Sequence, residues 1–558
     1  MKNESFVVGL DFGTDTVRAI VVDASDGEVL GGSVKSYPRW AKGLYCDALE
    51  NRFRHHPLDY LETLQASLAE ALAAAGPDVA GRVRGISADT TGSTPALADA
   101  RGRPLALSPE LAEDPDAMFI LWKDHTAVAE AERINQVART WGGVDYTKYE
   151  GGIYSTEWFW AKVLRVLEKD GAAARAAVTV LELCDWIPAV LTETEDLGKI
   201  RRSRCAAGHK AMWHAEFGGY PSDAFLARLH PRLPGLKDTL GTGTWTSDAP
   251  FGTVSAGWAA RLGLPRDCVV GVGAFDAHMG AVGGGIGPHR LVKILGTSSL
   301  DMMVAPRTDQ PETLVPGICG QVDGSIIPGA IGYEAGQSSF GDVYAWFKRL
   351  LCWPLDAILA GLPGDQPARR ALAAEVAEQI IPALEAAARD LAPDATSLVA
   401  LDWMNGRRTP DANQRLKAAV AGLSLGTDAP RVYRGLVEAT AFGARAIVER
   451  FRRHQIRIDG VIAIGGVARK SPLIMQVLAD VIDMDIAVSA GDQPVALGAA
   501  MFAATAAGLH GRVEDAQRAM SRGTDVVYRP DPARADLYRA LYQDYLALGA
   551  FVERELTG

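Results

Sequence analysis

Two kinds of apolar pattern alternate along the chain. Val7-Val8-Gly9-Leu10-Asp11-Phe12-Gly13-Thr14-Asp15-Thr16-Val17-Arg18-Ala19-Ile20-Val21-Val22-Asp23 reads as a strand, a tight Gly-Thr turn and a second β-branched strand. Leu58 to Ala75 and Arg431 to Arg453 carry apolar residues three and four apart with charges between them, which predicts amphipathic helices. Ser471-Pro472 places a capping residue and a first-turn proline ahead of Leu473, Ile474, Val477, Leu478, Val481 and Ile482, predicting another helix. Strands alternating with helices predict an α/β chain whose sheets are covered on both faces.

The opening pattern recurs half a chain later. Leu291-Val292-Lys293-Ile294-Leu295-Gly296-Thr297-Ser298-Ser299-Leu300-Asp301-Met302-Met303-Val304 again reads as strand, Gly-Thr turn and strand. A weaker echo follows each hairpin in the same order. Val83 to Ala88 runs into Asp89-Thr90-Thr91-Gly92-Ser93-Thr94-Pro95, and Ile458 to Ile464 runs into Gly465-Gly466-Val467-Ala468. The repeat predicts one α/β domain duplicated, with halves spanning 1–286 and 287–510 and a short helical appendage over 511–558. Gly283-Gly284-Gly285-Ile286-Gly287-Pro288 is the expected linker, because glycines absorb backbone rotation cheaply; a Gly-rich turn within one domain is the alternative.

Composition narrows the class. Of 558 residues, 48% are hydrophobic and 22% charged, the balance of a folded globular protein. Lys and Arg number 57 against 68 Asp and Glu, a net charge of −11, which argues against a nucleic-acid partner held through phosphates. A phosphate-bearing small ligand stays allowed, since a few backbone N–H groups can hold one. Met1-Lys2-Asn3-Glu4 leads straight into a strand without a signal-peptide pattern, and Ala496 to Leu509 is too short to span a bilayer. The six cysteines are scattered without a C-x-x-C pair and read as buried reduced thiols. A cytoplasmic protein with no membrane partner is expected.

The turns carry candidate chemistry. Gly13-Thr14 and Gly296-Thr297 would expose N–H groups and hydroxyls as small anion nests. Asp11, at a strand end, would face a metal ion paired with that anion through water. No G-x-x-x-x-G-K-[ST], no strand-linked G-x-G-x-x-G and no protein-kinase signature occurs, so a bound nucleotide is not held in those cradles. Asp276, between the strand-like Cys268 to Gly273 and a helix start, reads either as a helix N-cap or as a general base. At Gly465-Gly466 the bare backbone either admits a flat ring or allows tight strand–helix packing. Taken singly, Trp122 reads as a core or rim aromatic, Lys210 as a solvated charge, Glu334 as a surface acid and His278 as a packing or supporting residue.

Together these motifs resemble the FGGY carbohydrate kinases over about residues 6 to 505. The order matches: first phosphate hairpin, Asp276 segment, second hairpin, Gly465-Gly466, then Ala496-Leu497-Gly498-Ala499-Ala500. The resemblance implies two duplicated actin-like (ribonuclease H-like) ATPase domains with an interdomain cleft. Asp89-Thr90-Thr91-Gly92 stands where generic members carry a Gln-Met-His-Gly type segment, and Trp122-Lys123-Asp124-His125-Thr126 where they tend to have Trp-x-Asp-x-Arg. With Gly208-His209-Lys210-Ala211-Met212-Trp213 and Gly332-Tyr333-Glu334-Ala335-Gly336-Gln337-Ser338, these departures favour ribulose over glycerol or xylulose.

The resemblance further implies ATP-dependent phosphorylation of a ketopentose at its 5-hydroxyl, L-ribulose first and D-ribulose second. Asp276 would be the catalytic base. Trp122, Lys210, Asp276, Glu334 and backbone near Ala96 would line the sugar pocket. Asp11, Gly13, Thr14, Thr16, Gly296 and Thr297 would surround the phosphates of Mg–ATP, with Asp11 and Asp276 near Mg²⁺ through water. Gly465, Gly466 and Ala468 would hold the adenosine, and the two halves would close over the substrates. Another pentulose or polyol, such as xylulose or ribitol, is the nearest alternative substrate. A non-catalytic nucleotide switch on the same fold is the alternative of another class, and homodimerisation is left open.

Overall fold

A computed structural model describes residues 5–308, 313–359, 362, 365–393 and 398–555, and the structural statements below concern these residues. The opening pattern forms strands Phe6–Phe12 and Thr16–Asp23, paired antiparallel with Asp11 opposite Arg18. Val29–Ser36 continues the antiparallel run. On the other side of Phe6–Phe12 lies Val83–Thr90, parallel to it, then Val269–Gly271, also parallel, and Pro250–Thr253, antiparallel. The two-residue strand Ala274–Phe275 runs parallel to the end of Val83–Thr90. A parallel neighbour requires a long crossover, and helix Pro57–Ala75 lies in the one between Val29–Ser36 and Val83–Thr90, within one residue of the predicted start.

A second sheet repeats this order of neighbours. Ala330–Gln337, Ser299–Pro306, Arg290–Leu295, Gly460–Ile464, Ile486–Ser489 and Thr524–Tyr528 stand side by side, with Gly320–Asp323 outside the first of them. Arg290–Leu295, Gly460–Ile464 and Ile486–Ser489 are mutually parallel neighbours, and Thr524–Tyr528 closes the edge antiparallel. The repeat seen in the sequence is therefore a repeat of topology. Helices Ala429–Arg453 and Pro472–Ile482 form as predicted, and the Ser471 hydroxyl caps the second by accepting from Ile474 N at 3.2 Å.

Two compact units result, and both are discontinuous in sequence. The first holds residues 1–288, 302–334 and 490–523; the second holds 289–301, 335–489 and 524–558. The expected appendage is divided: helix Val513–Met520 lies in the first unit, and helix Pro532–Glu555 in the second. Five of the six free cysteines are buried, whereas Cys46 is only half-buried. None of the described helices is long and apolar enough to cross a membrane.

The small-residue stretch after Pro494 becomes the helix Pro494–Ala506, buried in the first unit against Phe6–Phe12, Val83–Thr90 and helix Asp276–Gly283. Its contact with helix Asp276–Gly283 is backbone to backbone. A Cβ on Gly498 would sit 1.8 Å from the Met279 carbonyl oxygen, and one on Gly283 1.8 Å from that of Pro494. Gly283 is therefore a buried packing residue and not part of a free linker. The predicted consequence is that Gly498→Ala drives the helices apart and lowers stability by about 1–3 kcal/mol in urea unfolding. An unchanged midpoint and slope would show that the close approach contributes nothing.

Candidate functional site

Register in the first unit gathers three carboxyl groups. Asp11 pairs with Asp89 across the parallel strands Phe6–Phe12 and Val83–Thr90, and Asp89 pairs in turn with Ala274. Asp276 follows that short strand as the first residue of helix Asp276–Gly283. The ends of three adjacent parallel strands thus carry Asp11, Asp89 and Asp276. Strand ends of this kind are where open α/β sheets present ligand-binding groups.

The carboxyl groups differ in their partners. Asp11 accepts from Arg18 Nη1 at 2.9 Å. Asp276 accepts the Ala277 N–H at 2.6 Å, while Phe275 occupies the N-cap position, so Asp276 is not the helix cap that local sequence allows. Asp89 is 0% exposed, and neither of its carboxylate oxygens has a hydrogen-bond partner within the usual geometric limits. Burial, and then the neighbouring Asp11 charge, push the Asp276 carboxyl up to about 7. Burial raises Asp11 as well, against the opposing pull of Arg18. Asp89 is raised well above the ordinary carboxylate range by burial, then by the charges of Asp11 and Asp276.

The other expected residues of the first unit lie on supporting turns. Gly13 N donates to the Thr16 carbonyl at 3.0 Å, closing the hairpin turn, and Trp122 Nε1 donates to Thr14 Oγ1 at 3.0 Å. Asp124 holds the Trp122 loop by accepting Phe53 N at 2.7 Å and pairing with buried Arg54. Burial alone would raise the Asp124 carboxyl, but the Arg54 guanidinium brings it below the usual value. Ala96 is buried on strand Pro95–Ala98, just after Thr94, whose N–H donates to Glu182 Oε2 at 2.8 Å. Lys162 Nζ ties the two loops together, donating to the carbonyls of Ser93 at 2.7 Å and Leu121 at 2.9 Å.

Lys210 and Glu334 are neither solvated nor at the surface. Both are buried, and Lys210 Nζ donates to Glu334 Oε1 at 2.7 Å. The ammonium also lies 5.0 Å from the centre of the Trp158 ring. A buried ion pair is costly to desolvate unless its remaining valences are used.

The second unit presents the remaining residues. Gly296 and Thr297 are exposed at the hairpin turn, where Gly296 N donates to the Ser298 carbonyl at 3.0 Å. The Thr297 carbonyl accepts from Phe340 N at 2.8 Å and Asp342 N at 3.0 Å, anchoring the turn to the start of helix Gly341–Ala357. Gly465 has a φ of +100°, and a Cβ there would lie 2.6 Å from the Leu295 carbonyl oxygen; its role is tight packing. Gly466 is different: it is exposed, and a Cβ would meet nothing within 4 Å. Ala468 is buried in the short helix Gly466–Lys470.

Asp89 is the residue that sequence reasoning did not place in the site. The signal was available: the strand Val83 to Ala88 ends in an aspartate, as Phe6–Phe12 nearly does, and parallel pairing sets them side by side. The elevated Asp89 carboxyl also fixes a stability prediction. Below about pH 3.8 the group is protonated in both folded and unfolded chains; above it, ionisation favours the unfolded chain until the folded group titrates. Asp89→Asn should therefore be more stable than the parent at neutral pH, with the gap shrinking toward pH 4 in thermal scans. A gap independent of pH would show that Asp89 ionises normally.

Comparison with known proteins gives consistent relatives. Residues 291–507 match the model of the C-terminal domain of the FGGY family of carbohydrate kinases. The chain is 48% identical over 552 residues to a ribulokinase of Vibrio parahaemolyticus, covering 99% of this chain and 97% of that one. It is 36% identical over 563 residues to a ribulokinase of Halalkalibacterium halodurans, covering 98% and 95%. A xylulose kinase structure from Rhodospirillum rubrum superposes with a TM-score of 0.77 over 98% of this chain and 99% of the other, at 23% identity, which speaks to the fold.

Proposed function

The chain belongs to the FGGY family of carbohydrate kinases, and on that footing we propose that it transfers the γ-phosphoryl group of ATP to the 5-hydroxyl of ribulose, L-ribulose in preference to D-ribulose. The observation that carries this reading is Asp276. Its carboxyl stands at the end of a parallel strand, beside Asp11, with a proton affinity centred near neutrality. A base so tuned is ionised enough to accept a proton at physiological pH and basic enough to take one from an alcohol during transfer.

The remaining roles follow from the chemistry. Phosphoryl transfer is chiefly positioning and charge neutralisation. The Lys210–Glu334 pair offers a donor and an acceptor to sugar oxygens, and Trp122, pinned by Thr14, offers an apolar face with one edge already satisfied. Backbone near Ala96, fixed through Glu182 and Lys162, forms the opposite support. The Gly13–Thr14–Thr16 turn and the exposed Gly296–Thr297 turn supply N–H and hydroxyl donors to phosphate oxygens. Gly466, open on its outer side, suits a purine or ribose laid against backbone, with Gly465 and Ala468 shaping the ledge.

The carboxylate set also fits Mg²⁺. Asp11 and Asp276 present hard oxygen donors beside Asp89, whose two oxygens lack hydrogen-bond partners, and Mg²⁺ takes such oxygens through water. Bound there with ATP, Mg²⁺ would neutralise charge on the phosphates. Asp11 would orient the ion, and Asp276 would stay free to face the sugar hydroxyl. Closure of the two units during turnover is assigned to the exclusion of water, which otherwise competes as acceptor.

An ADP-release screen over pentuloses, pentitols and glycerol tests the substrate. Ribulose should give the highest kcat/KM, and a higher value for xylulose or ribitol would move the assignment to that sugar. Asp276→Asn should lower sugar-dependent turnover by roughly 10²–10⁴-fold while the protein still folds. Turnover near that of the parent would remove Asp276 as the base. Gly466→Arg should raise the KM for ATP with little change in that for sugar; equal effects on both would take Gly466 out of the nucleotide site.

A further inference from the structure

Three buried side chains of the first unit converge without the partners that buried polar groups require. His209 lies near the end of helix Arg204–Lys210, His278 on helix Asp276–Gly283, and Glu334 on strand Ala330–Gln337. Their relative exposures are 0%, 2% and 6%. His209 Nδ1 lies 3.5 Å from Glu334 Oε2, and His278 Nε2 lies 3.8 Å from the same oxygen. One ligand atom from each residue falls within 4.8 Å of the others, the only such group of three among the described residues. His209 Nδ1, both nitrogens of His278 and Glu334 Oε2 make no hydrogen bond. Glu334 Oε1 is the oxygen that accepts from Lys210, so Oε2 is left facing the two imidazoles.

The tautomer of His209 sharpens the arrangement. In the tautomer with the proton on His209 Nε2, that N–H donates to the Ser325 hydroxyl across 2.9 Å, and the hydroxyl passes its own hydrogen to the Val322 carbonyl at 3.1 Å. His209 Nδ1 then turns a lone pair toward the carboxylate oxygen of Glu334. In that tautomer two acceptors stand 3.5 Å apart in a dry site, an arrangement that a cation between them relieves. An imidazole whose far nitrogen is held by a hydroxyl is also how metal-ligating histidines are oriented.

The surroundings leave room beside His209. Gly320 pairs with Glu334 across the strands, and a Cβ there would come within 2.5 Å of His209 Nδ1. The Glu150 and Asp276 carboxyls and the Lys210 ammonium lie within electrostatic reach of Glu334, and the Lys210 charge also acts on both imidazoles. The separations of 3.5 and 3.8 Å from Glu334 Oε2, with all three atoms within 4.8 Å, are wider than the roughly 3.3 Å expected between donors of a tetrahedral Zn²⁺ with bonds of about 2.0–2.1 Å, so the side chains draw inward on binding.

We propose that His209 Nδ1, His278 Nε2 and Glu334 Oε2 form a three-ligand site for a borderline divalent transition cation, Zn²⁺ or its analogue Co²⁺, distinct from the carboxylate set assigned to Mg²⁺. Two imidazoles and one carboxylate select such ions over Mg²⁺, which prefers oxygen donors alone. The site would hold Glu334 by its second oxygen while the first remains on Lys210. It does not depend on which sugar, or whether any sugar, is phosphorylated.

The experiment uses the full-length, untagged chain without sugar or ATP. After chelator treatment, the protein is loaded with Zn²⁺, dialysed and assayed by elemental analysis, with a parallel Co²⁺ titration followed by visible absorption. One Zn²⁺ per chain should be retained, and Co²⁺ should develop ligand-field bands that Zn²⁺ abolishes and Mg²⁺ does not. His209→Gln and His278→Gln should lose both signals. Ser325→Ala, which keeps all three ligands, should bind roughly 10–100-fold more weakly. If the parent retains no Zn²⁺, or if both histidine variants retain it, the site is wrong. Should the histidine variants fail to fold, the parent stoichiometry and the Ser325→Ala affinity still decide the matter.

Discussion

Pairing between parallel strands forces like charges together at the heart of the first unit. Asp11 and Asp89 face each other across neighbouring strands, and the strand beside Asp89 delivers Asp276. Three acids cannot all ionise at such proximity without mutual cost. The fold accepts that cost because strong packing fixes the strands: helix Pro494–Ala506 lies against Phe6–Phe12 and Val83–Thr90, and meets the Asp276 helix backbone to backbone. Strained electrostatics on a rigid support is the usual condition for a tuned acid or base. The same support carries Asp276 toward neutrality and leaves Asp89 without partners.

The two sheets show how one topology serves two purposes. In the first hairpin, Asp11 is partly exposed to neighbouring acids and is held by Arg18 across the strands. In the second hairpin the corresponding strand carries Ile294 before Leu295-Gly296-Thr297, and its charge pair is Lys293 with Asp301, fully buried within the hairpin. The first hairpin thus carries a carboxylate near its turn, and the second carries backbone and a hydroxyl on the same topology.

Much of this was legible in the chain. The hairpins, the long helices and the order of strands follow from apolar periodicity and turn residues, because those patterns act locally. The positions of Asp11, Asp276 and Gly466 at strand ends and turns were likewise visible. The buried Lys210–Glu334 pair was not, since its members are 124 residues apart and nothing local distinguishes either from a surface charge. Gly283 misled for a related reason: a Gly-rich run reads as a linker until the helix it packs against, through Gly498, is known. Asp89 fell between these cases, recognisable once strand register is added to sequence. His209 and His278 lie farther out of reach, because only three-dimensional convergence on Glu334 gives them a shared role.

Burial, reinforced by the neighbouring Asp11 charge, sets the proton affinity of Asp276. Infrared difference spectroscopy of the unliganded protein, parent minus Asp276→Asn, isolates the Asp276 carboxyl band as pH is varied. Its midpoint should lie near 7 and should fall in an Asp11→Asn background, where the repelling charge is gone. A midpoint near the ordinary aspartate value, or one indifferent to Asp11, would contradict the account.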